Sequence, residues 1–256
     1  MRSASHDKRT VGCAILASLN AVLSSTQTSQ TVHDIILIGH DRGARVAHRL
    51  AVDAPSYAAT FRLKGVALLD IVPTSVQWQG MRRPREAVGL WHWPFLANVE
   101  VATEMLKENG GVFARGMVER LAGRSETARR NLLSDGALDV YEAAFRQESV
   151  LRAACRDYEA GAGVDVEMQQ DDQANGRKMR VPVLALFSGD GLGQRFDVEK
   201  EWQAWVGQRQ LLRAVAMGEG VGHHLAEEDA EGVYAVVREW LGSYLVASTR
   251  QHLDRQ

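Results

Sequence analysis

The chain has 256 residues, a formal net charge of −2 at pH 7 and 45% hydrophobic residues, which suits one α/β domain with an insertion, or two small domains. The slightly acidic balance, without a basic stripe, argues against nucleic acid as a partner. The two cysteines, Cys13 and Cys155, have neither disulfide nor metal-ligand spacing. We therefore predict reduced thiols, no metal and a cytoplasmic protein.

The first segment with a clear pattern is residues 11–23, which are mostly apolar and follow Lys8 and Arg9. This arrangement resembles a secretory signal peptide. The alternative, which we favour, is an amphipathic helix that leads into the first strand. The segment is too short to span a bilayer, so no membrane interaction is predicted.

Four segments have the composition of strands, namely residues 35–39, 65–70, 183–187 and 211–216. The first three are continuous apolar runs, typical of parallel strands that are covered on both faces. Helical segments are predicted between or after them, at residues 44–52, 198–206 and 232–245.

A long stretch between the second and third strands has helical periodicity and no convincing strand, from about residue 75 to residue 162. The polar run 169–178 after it predicts a loop that returns to the sheet. We therefore predict an α/β fold whose core comprises residues 1–74 and 163–256, with residues 75–162 inserted as a helical cap.

The junction between the first strand and the next helix reads Gly39-His40-Asp41-Arg42-Gly43. It has the Gly-x-nucleophile-x-Gly form of a nucleophile elbow, with Asp in place of Ser. Glycines let the strand and the helix approach closely around a strained central residue. A carboxylate presented there can attack carbon and form an ester. The alternative is an ordinary turn in which Asp41 caps the helix.

A carboxylate nucleophile of this kind needs a base and an orienting acid further along the chain. His223 follows the last strand in a glycine-rich loop and is the candidate base, with His224 as a weaker one. Asp70 and Asp190 are both candidate acids, because each follows a predicted strand at the carboxyl edge of the sheet, where ligands bind.

These residues belong to motifs whose order resembles the fluoroacetate dehalogenase group of the α/β-hydrolase superfamily. The motifs are Gly-His-Asp-Arg-Gly-Ala-Arg at 39–45, Leu-Asp-Ile-Val-Pro-Thr at 69–74, His-Trp-Pro-Phe-Leu at 92–96, Asp157-Tyr158, and Gly222-His223 with Leu225 and Glu227-Glu228.

The resemblance implies that Asp41 is the nucleophile and that His223 activates water. It favours Asp70 over Asp190 as the acid. It also implies that Arg42 and Arg45 hold a substrate carboxylate. This role agrees with their spacing, since residues three apart at a helix start share a face and two guanidinium groups suit a carboxylate.

The resemblance further implies that His92, Trp93 and Tyr158 surround the leaving halide, where their N–H and O–H groups would stabilise it. Without the resemblance, aromatic packing in the cap would explain these three residues. The expected reaction is hydrolytic dehalogenation of a small 2-haloacid, with no cofactor. The expected partner is a small-molecule substrate, and a homodimer is compatible with the sequence.

Two alternative functions remain open. Epoxide hydrolases also use an Asp elbow, together with cap tyrosines, for which Tyr141 and Tyr158 are available. A catalytically silent binding protein is the other alternative. Members of the resembled group have four strands and a His-Gly loop before the nucleophile strand, whereas only residues 1–34 precede it here. We therefore expect an N-terminally truncated member, with residues 35–38 on an exposed apolar edge.

Overall fold

A parallel sheet forms the centre of the computed structural model, which describes residues 6–25 and 32–253, with side chains described through residue 243. Its strands pair in chain order, and every neighbouring pair is parallel. They are β1 (His33–His40), β2 (Phe61–Leu69), β3 (Val183–Ser188) and β4 (Leu212–Met217). All four overlap the predicted strands. Because the strands are parallel, their carboxyl ends meet at one edge of the sheet.

Helices cover the sheet and fill the connection between β2 and β3. Those that precede the third strand are α1 (Lys8–Ser25), α2 (Asp41–Val52), α3 (Thr74–Gly80), α4 (Pro84–Gly89), α5 (His92–Ala97), α6 (Val99–Leu106), α7 (Gly110–Leu121), α8 (Glu126–Leu133), α9 (Ala137–Phe145), α10 (Glu148–Ala162) and α11 (Val164–Ala174). Those that follow it are α12 (Val198–Gln203), α13 (Leu225–Glu228) and α14 (Ala230–Leu253).

Apolar layers pack on the two faces of the sheet. Small residues of α2, such as Ala44 and Ala47, and the buried Trp202 of α12 pack on one face. Trp240 of α14 packs on the other face, where it meets Leu184 and Leu186. The middle strands β2 and β3 are thus covered on both sides, which explains their continuous apolar sequences.

The first strand lies at an edge of the sheet. Among the described residues it pairs only with β2. Ile36 and Ile38 are 44% and 54% exposed, which confirms the predicted apolar edge. The favoured helix at the N-terminus is α1, whose Leu16 packs against Leu50 of α2. No described helix is both long and apolar enough to cross a membrane.

The prediction of a loop at residues 169–178 is wrong for most of its length, because α11 extends to Ala174. Two polar side chains of this helix are buried and paired with distant residues. Gln169 accepts a hydrogen bond from the backbone N–H of Ser75 at 2.9 Å, and Asp172 pairs with Arg49 and Arg177. The polar sequence suggested solvent exposure because Ser75 and Arg49 are remote from this helix in the chain.

Candidate active site

The turn between β1 and α2 presents Asp41 in a strained conformation. Its φ is +45°, in the left-handed region that side chains rarely adopt. A side chain at Gly39 would place its Cβ 2.5 Å from the carbonyl oxygen of Gly43 and 2.7 Å from Cα of Ala44. Glycine is therefore required at position 39 for the helix to start directly above the strand. This is the geometry expected of a nucleophile elbow.

A second strained aspartate follows β2 and reaches the histidine loop. Asp70 has φ +53° and is 6% exposed. His223 Nδ1 donates a hydrogen bond of 2.7 Å to Asp70 Oδ2. The other ring nitrogen, Nε2, lies 3.6 Å from Oδ2 of Asp41. The three side chains thus form a line from Asp70 through the imidazole to Asp41.

The two candidate acids have different partners. The second carboxylate oxygen of Asp70, Oδ1, accepts hydrogen bonds from the backbone N–H (2.7 Å) and the hydroxyl (2.8 Å) of Ser188. Asp190 instead accepts a hydrogen bond from the backbone N–H of Gly220 at 2.8 Å. The geometry therefore places Asp70, and not Asp190, at the imidazole of His223, while Asp190 supports the loop that carries it.

The charges of this line stabilise one another. Burial lowers the pKa of His223, but hydrogen bonds and charges from Asp41 and Asp70 outweigh it and raise that pKa to about 10. Burial would raise the pKa of Asp41, yet His223 and the nearby arginines hold it well below its usual range. At neutral pH the site therefore contains an ionised Asp41 beside an imidazolium.

The two predicted arginines lie in the first turns of α2 and line the same cavity as Asp41. Arg42 pairs with the carboxylate of Asp157 and donates from Nη2 to the Asp157 carbonyl at 2.9 Å. Arg45 donates from Nη1 to Val72 O and Thr74 Oγ1, both at 3.1 Å. Buried Arg42 Nη1 and Arg45 Nε have no hydrogen-bond partner among the described residues.

The three predicted halide-binding residues come together from α5 and α10. His92 and Trp93 have ring centroids 6.0 Å and 5.7 Å from that of Tyr158. The Arg42 guanidinium carbon lies 4.1 Å from the Tyr158 ring centroid, and that of Arg45 lies 4.7 Å from the Trp93 ring centroid. We call His92, Trp93 and Tyr158 the aromatic cradle.

The protonation of the aromatic cradle suits hydrogen-bond donation. Burial lowers the pKa of His92 to about 4, so its imidazole is neutral at pH 7 and carries one N–H. Its buried Nδ1 has no hydrogen-bond partner among the described residues. Burial also raises the pKa of Tyr158, which keeps the phenol protonated. These groups can donate to an anion without titrating near neutral pH.

A cavity of about 640 Å³ connects these groups. It is lined by the Asp41 and His223 loops, by the aromatic cradle, and by residues of α7 such as Phe113 and Met117. The described residues contain no cluster of three metal-ligating side chains. The site thus consists of a nucleophilic carboxylate, a histidine, cations and uncharged donors around one cavity.

Sequence reasoning missed two polar residues that shape the site. One is Ser188, the last residue of β3, which donates two hydrogen bonds to Asp70 and lies two residues before the predicted Asp190. The other is Glu228, which is 1% exposed and accepts backbone hydrogen bonds from Gly123 (3.0 Å), Gly222 and His224 (3.1 Å). Glu228 belongs to the Glu227-Glu228 motif, but nothing in the sequence indicates that the loop 122–124 packs on it.

Comparisons with known proteins agree with the fold, although no protein-family model matches the chain. A fluoroacetate dehalogenase from Burkholderia sp. is 28% identical over 207 residues, which make up 80% of this chain and 62% of that protein. The chain thus spans less than two thirds of the length of this curated relative.

Solved structures with the same fold include two bacterial proteins. A candidate α/β-hydrolase from Nostoc sp. PCC 7120 is 30% identical, with a TM-score of 0.75, and the match covers 94% of this chain and 76% of that one. A candidate epoxide hydrolase from Pseudomonas aeruginosa is 27% identical, with a TM-score of 0.80 and coverage of 96% and 75%.

Proposed function

We infer that this chain, which belongs to the α/β-hydrolase family, is a hydrolase that uses Asp41 as a nucleophile. Its proposed substrate is a small carboxylate, specifically a 2-haloacid of the fluoroacetate type. One observation carries the proposal: the ionised Asp41 shares its cavity with the half-buried Arg42 and the buried Arg45. Guanidinium groups form strong, charge-assisted hydrogen bonds with carboxylates.

In the first step, a carboxylate oxygen of Asp41 attacks the carbon that bears the halogen. The carbon–halogen bond breaks, its electron pair leaves with the halide, and an aspartyl ester forms. The aromatic cradle donates hydrogen bonds to the departing halide. Fluoride requires such donors because it is a poor leaving group.

In the second step, water attacks Cγ of Asp41 and gives its proton to Nε2 of His223. The bond between Cγ and the ester oxygen then breaks, and this oxygen, which came from Asp41, leaves as the hydroxyl of the 2-hydroxyacid with the proton from His223. The oxygen of the attacking water completes the regenerated carboxylate of Asp41. The backbone N–H of Arg42, which follows the nucleophile, is the expected donor to the tetrahedral oxyanion.

Ester formation itself prepares the base. In the free protein the Asp41 carboxylate contributes to the raised pKa of His223. The ester is neutral, so this contribution disappears and the pKa of His223 falls. The imidazolium then gives its proton to solvent, and the neutral imidazole can accept a proton from the attacking water in the second step.

Halide release tests the proposal, with fluoroacetate and chloroacetate as substrates and the matching haloacetamides as uncharged controls. We expect release from the acids and little from the amides. Arg42→Gln and Arg45→Gln should raise KM for the acids far more than for the amides. Equal effects on both substrate classes would contradict recognition of a carboxylate.

An epoxide hydrolase is the second candidate, and it rests on the likeness to the Pseudomonas structure. Two phenols would be needed to protonate the epoxide oxygen, but the Tyr141 hydroxyl already donates to Glu227 Oε1 at 3.0 Å. Because this hydroxyl already has an acceptor, we favour a haloacid over an epoxide as the substrate. Hydrolysis of styrene oxide, with no halide release from the haloacetates, would make an epoxide hydrolase the leading candidate. Turnover of neither the haloacetates nor the epoxide would favour a silent binding protein.

A further inference from the structure

A buried lysine lies behind the proposed carboxylate site, on the helix that precedes the sheet. Lys8 is the first residue of α1 and is 2% exposed. A buried ammonium is costly unless it is paired. Its Nζ lies 2.6 Å from Asp157 Oδ1 and 3.0 Å from Asp165 Oδ2. Lys8 therefore joins α1 to two acidic residues of α10 and α11.

Asp157 connects this lysine to the substrate site. Its Oδ1 faces Lys8, while its Oδ2 accepts from Nε of Arg42. The Asp157 carbonyl also accepts from both cations, at 3.3 Å from Lys8 Nζ and 2.9 Å from Arg42 Nη2. The guanidinium of Arg42 is thus fixed on two of its nitrogens, and Nη1 remains without a partner.

We propose that Lys8 is a positioning residue for substrate recognition: it holds Asp157 in place and shares its negative charge, so that Arg42 can bind a substrate carboxylate. The inference rests on the proposed function. Without Lys8, the whole charge of Asp157 would act on Arg42. The arginine would then be neutralised by its structural partner, and its attraction for a second carboxylate would fall.

Asp165 must be considered in any test, because it is 4% exposed and pairs with the same lysine. Lys8→Met would leave this carboxylate buried without its cation, which is expected to destabilise the protein. The double variant Lys8→Met/Asp165→Asn removes that charge as well. An asparagine at 165 keeps an oxygen for the Lys8 backbone N–H, which donates to Asp165 Oδ1 at 2.9 Å.

Arg9 offers a matched control on the same helix. Its side chain is 46% exposed and pairs with Asp53, away from Asp157. Arg9→Met removes a cation from the adjacent position and leaves the contacts of Lys8 in place. A general effect of positive charge on α1 would therefore appear in both variants, whereas a specific effect of Lys8 would not.

The test measures binding without turnover, by isothermal titration calorimetry of chloroacetate and chloroacetamide in an Asp41→Asn background. We expect Lys8→Met/Asp165→Asn to weaken chloroacetate binding on the order of tenfold. Binding of chloroacetamide should be unchanged, and Arg9→Met should affect neither ligand. Circular dichroism of each variant verifies the fold.

The outcomes separate this inference from the proposed function. If the Asp41→Asn protein itself does not prefer chloroacetate to chloroacetamide, recognition of a carboxylate fails. If it does, and the double variant keeps that preference, the role of Lys8 is overturned. Equal weakening of both ligands would also overturn it, because Lys8 would then support only the general structure.

Discussion

The imidazole of His223 donates a 2.7 Å hydrogen bond to Asp70, although 153 residues separate them and the strand β3 lies between the two strand ends that carry them. The loop after β4 must therefore cross the end of β3 to deliver the histidine. Asp190, at the end of β3, supports this crossing through its hydrogen bond to Gly220.

Replacement of Asp70 tests this arrangement. Asp70→Asn should lower kcat by ~10³–10⁴-fold, because an amide neither selects the same imidazole tautomer nor stabilises the imidazolium. Asp190→Asn is the matched control and should have a much smaller effect. Steady-state halide release measures both. A loss in the Asp190 variant as large as that in the Asp70 variant would reassign the acid.

The pKa of His223 predicts how stability depends on pH. Its value of about 10 in the folded protein lies above the ordinary 6.5, so the protonated form stabilises the fold. This contribution is complete below pH 6.5 and is lost as the pH rises toward 10. Urea unfolding should show stability falling across that range more steeply in the wild type than in His223→Gln. Parallel profiles would disprove the raised pKa.

Glu228 joins the histidine loop to the loop between α7 and α8, through its hydrogen bonds from His224 and Gly123. Glu228→Gln keeps one acceptor oxygen but turns an amide toward backbone donors, so at least one buried N–H loses its partner. We expect a loss of about 1–3 kcal/mol in the free energy of unfolding. Glu231→Gln, an exposed change on the next helix, should be neutral. Chemical denaturation measures both, and equal stabilities would show that the buried carboxylate is dispensable.

The open edge of the sheet predicts self-association. Ile36 and Ile38 are exposed on β1, which pairs with no second strand among the described residues, an arrangement that favours edge-to-edge pairing. Ile38→Lys should reduce the aggregated fraction in light scattering. Val140→Lys, at a 66% exposed helical position, controls for added surface charge and should change little. A monodisperse wild-type monomer would contradict this prediction.

The sheet and the elbow could be predicted from the sequence because their signals are local. Continuous apolar runs marked the strands, and two glycines around Asp41 marked the turn. The choice of Asp70 over Asp190 needed either family resemblance or coordinates, since both aspartates follow strands. The sequence alone did not separate them.

Other parts of the site depend on contacts between distant segments. The pairing of Lys8 with Asp157 joins α1 to α10 across 149 residues of sequence, and no periodicity predicts it. The same holds for the buried Asp172, whose distant partner Arg49 allowed a polar run to form a helix. Buried polar networks are therefore the features that sequence patterns represent least well, because polarity alone suggests solvent exposure.

A single-turnover reaction in ¹⁸O-labelled water, with protein in excess over chloroacetate, tests the central claim that Asp41 is the nucleophile. Water that attacks Cγ leaves its oxygen on the aspartate. Mass spectrometry should therefore find the label in the peptide containing Asp41, and the first-turnover product should be unlabelled. His223→Asn should instead trap the ester as a mass increase on that peptide. Label found only in the product on the first turnover would contradict the covalent route.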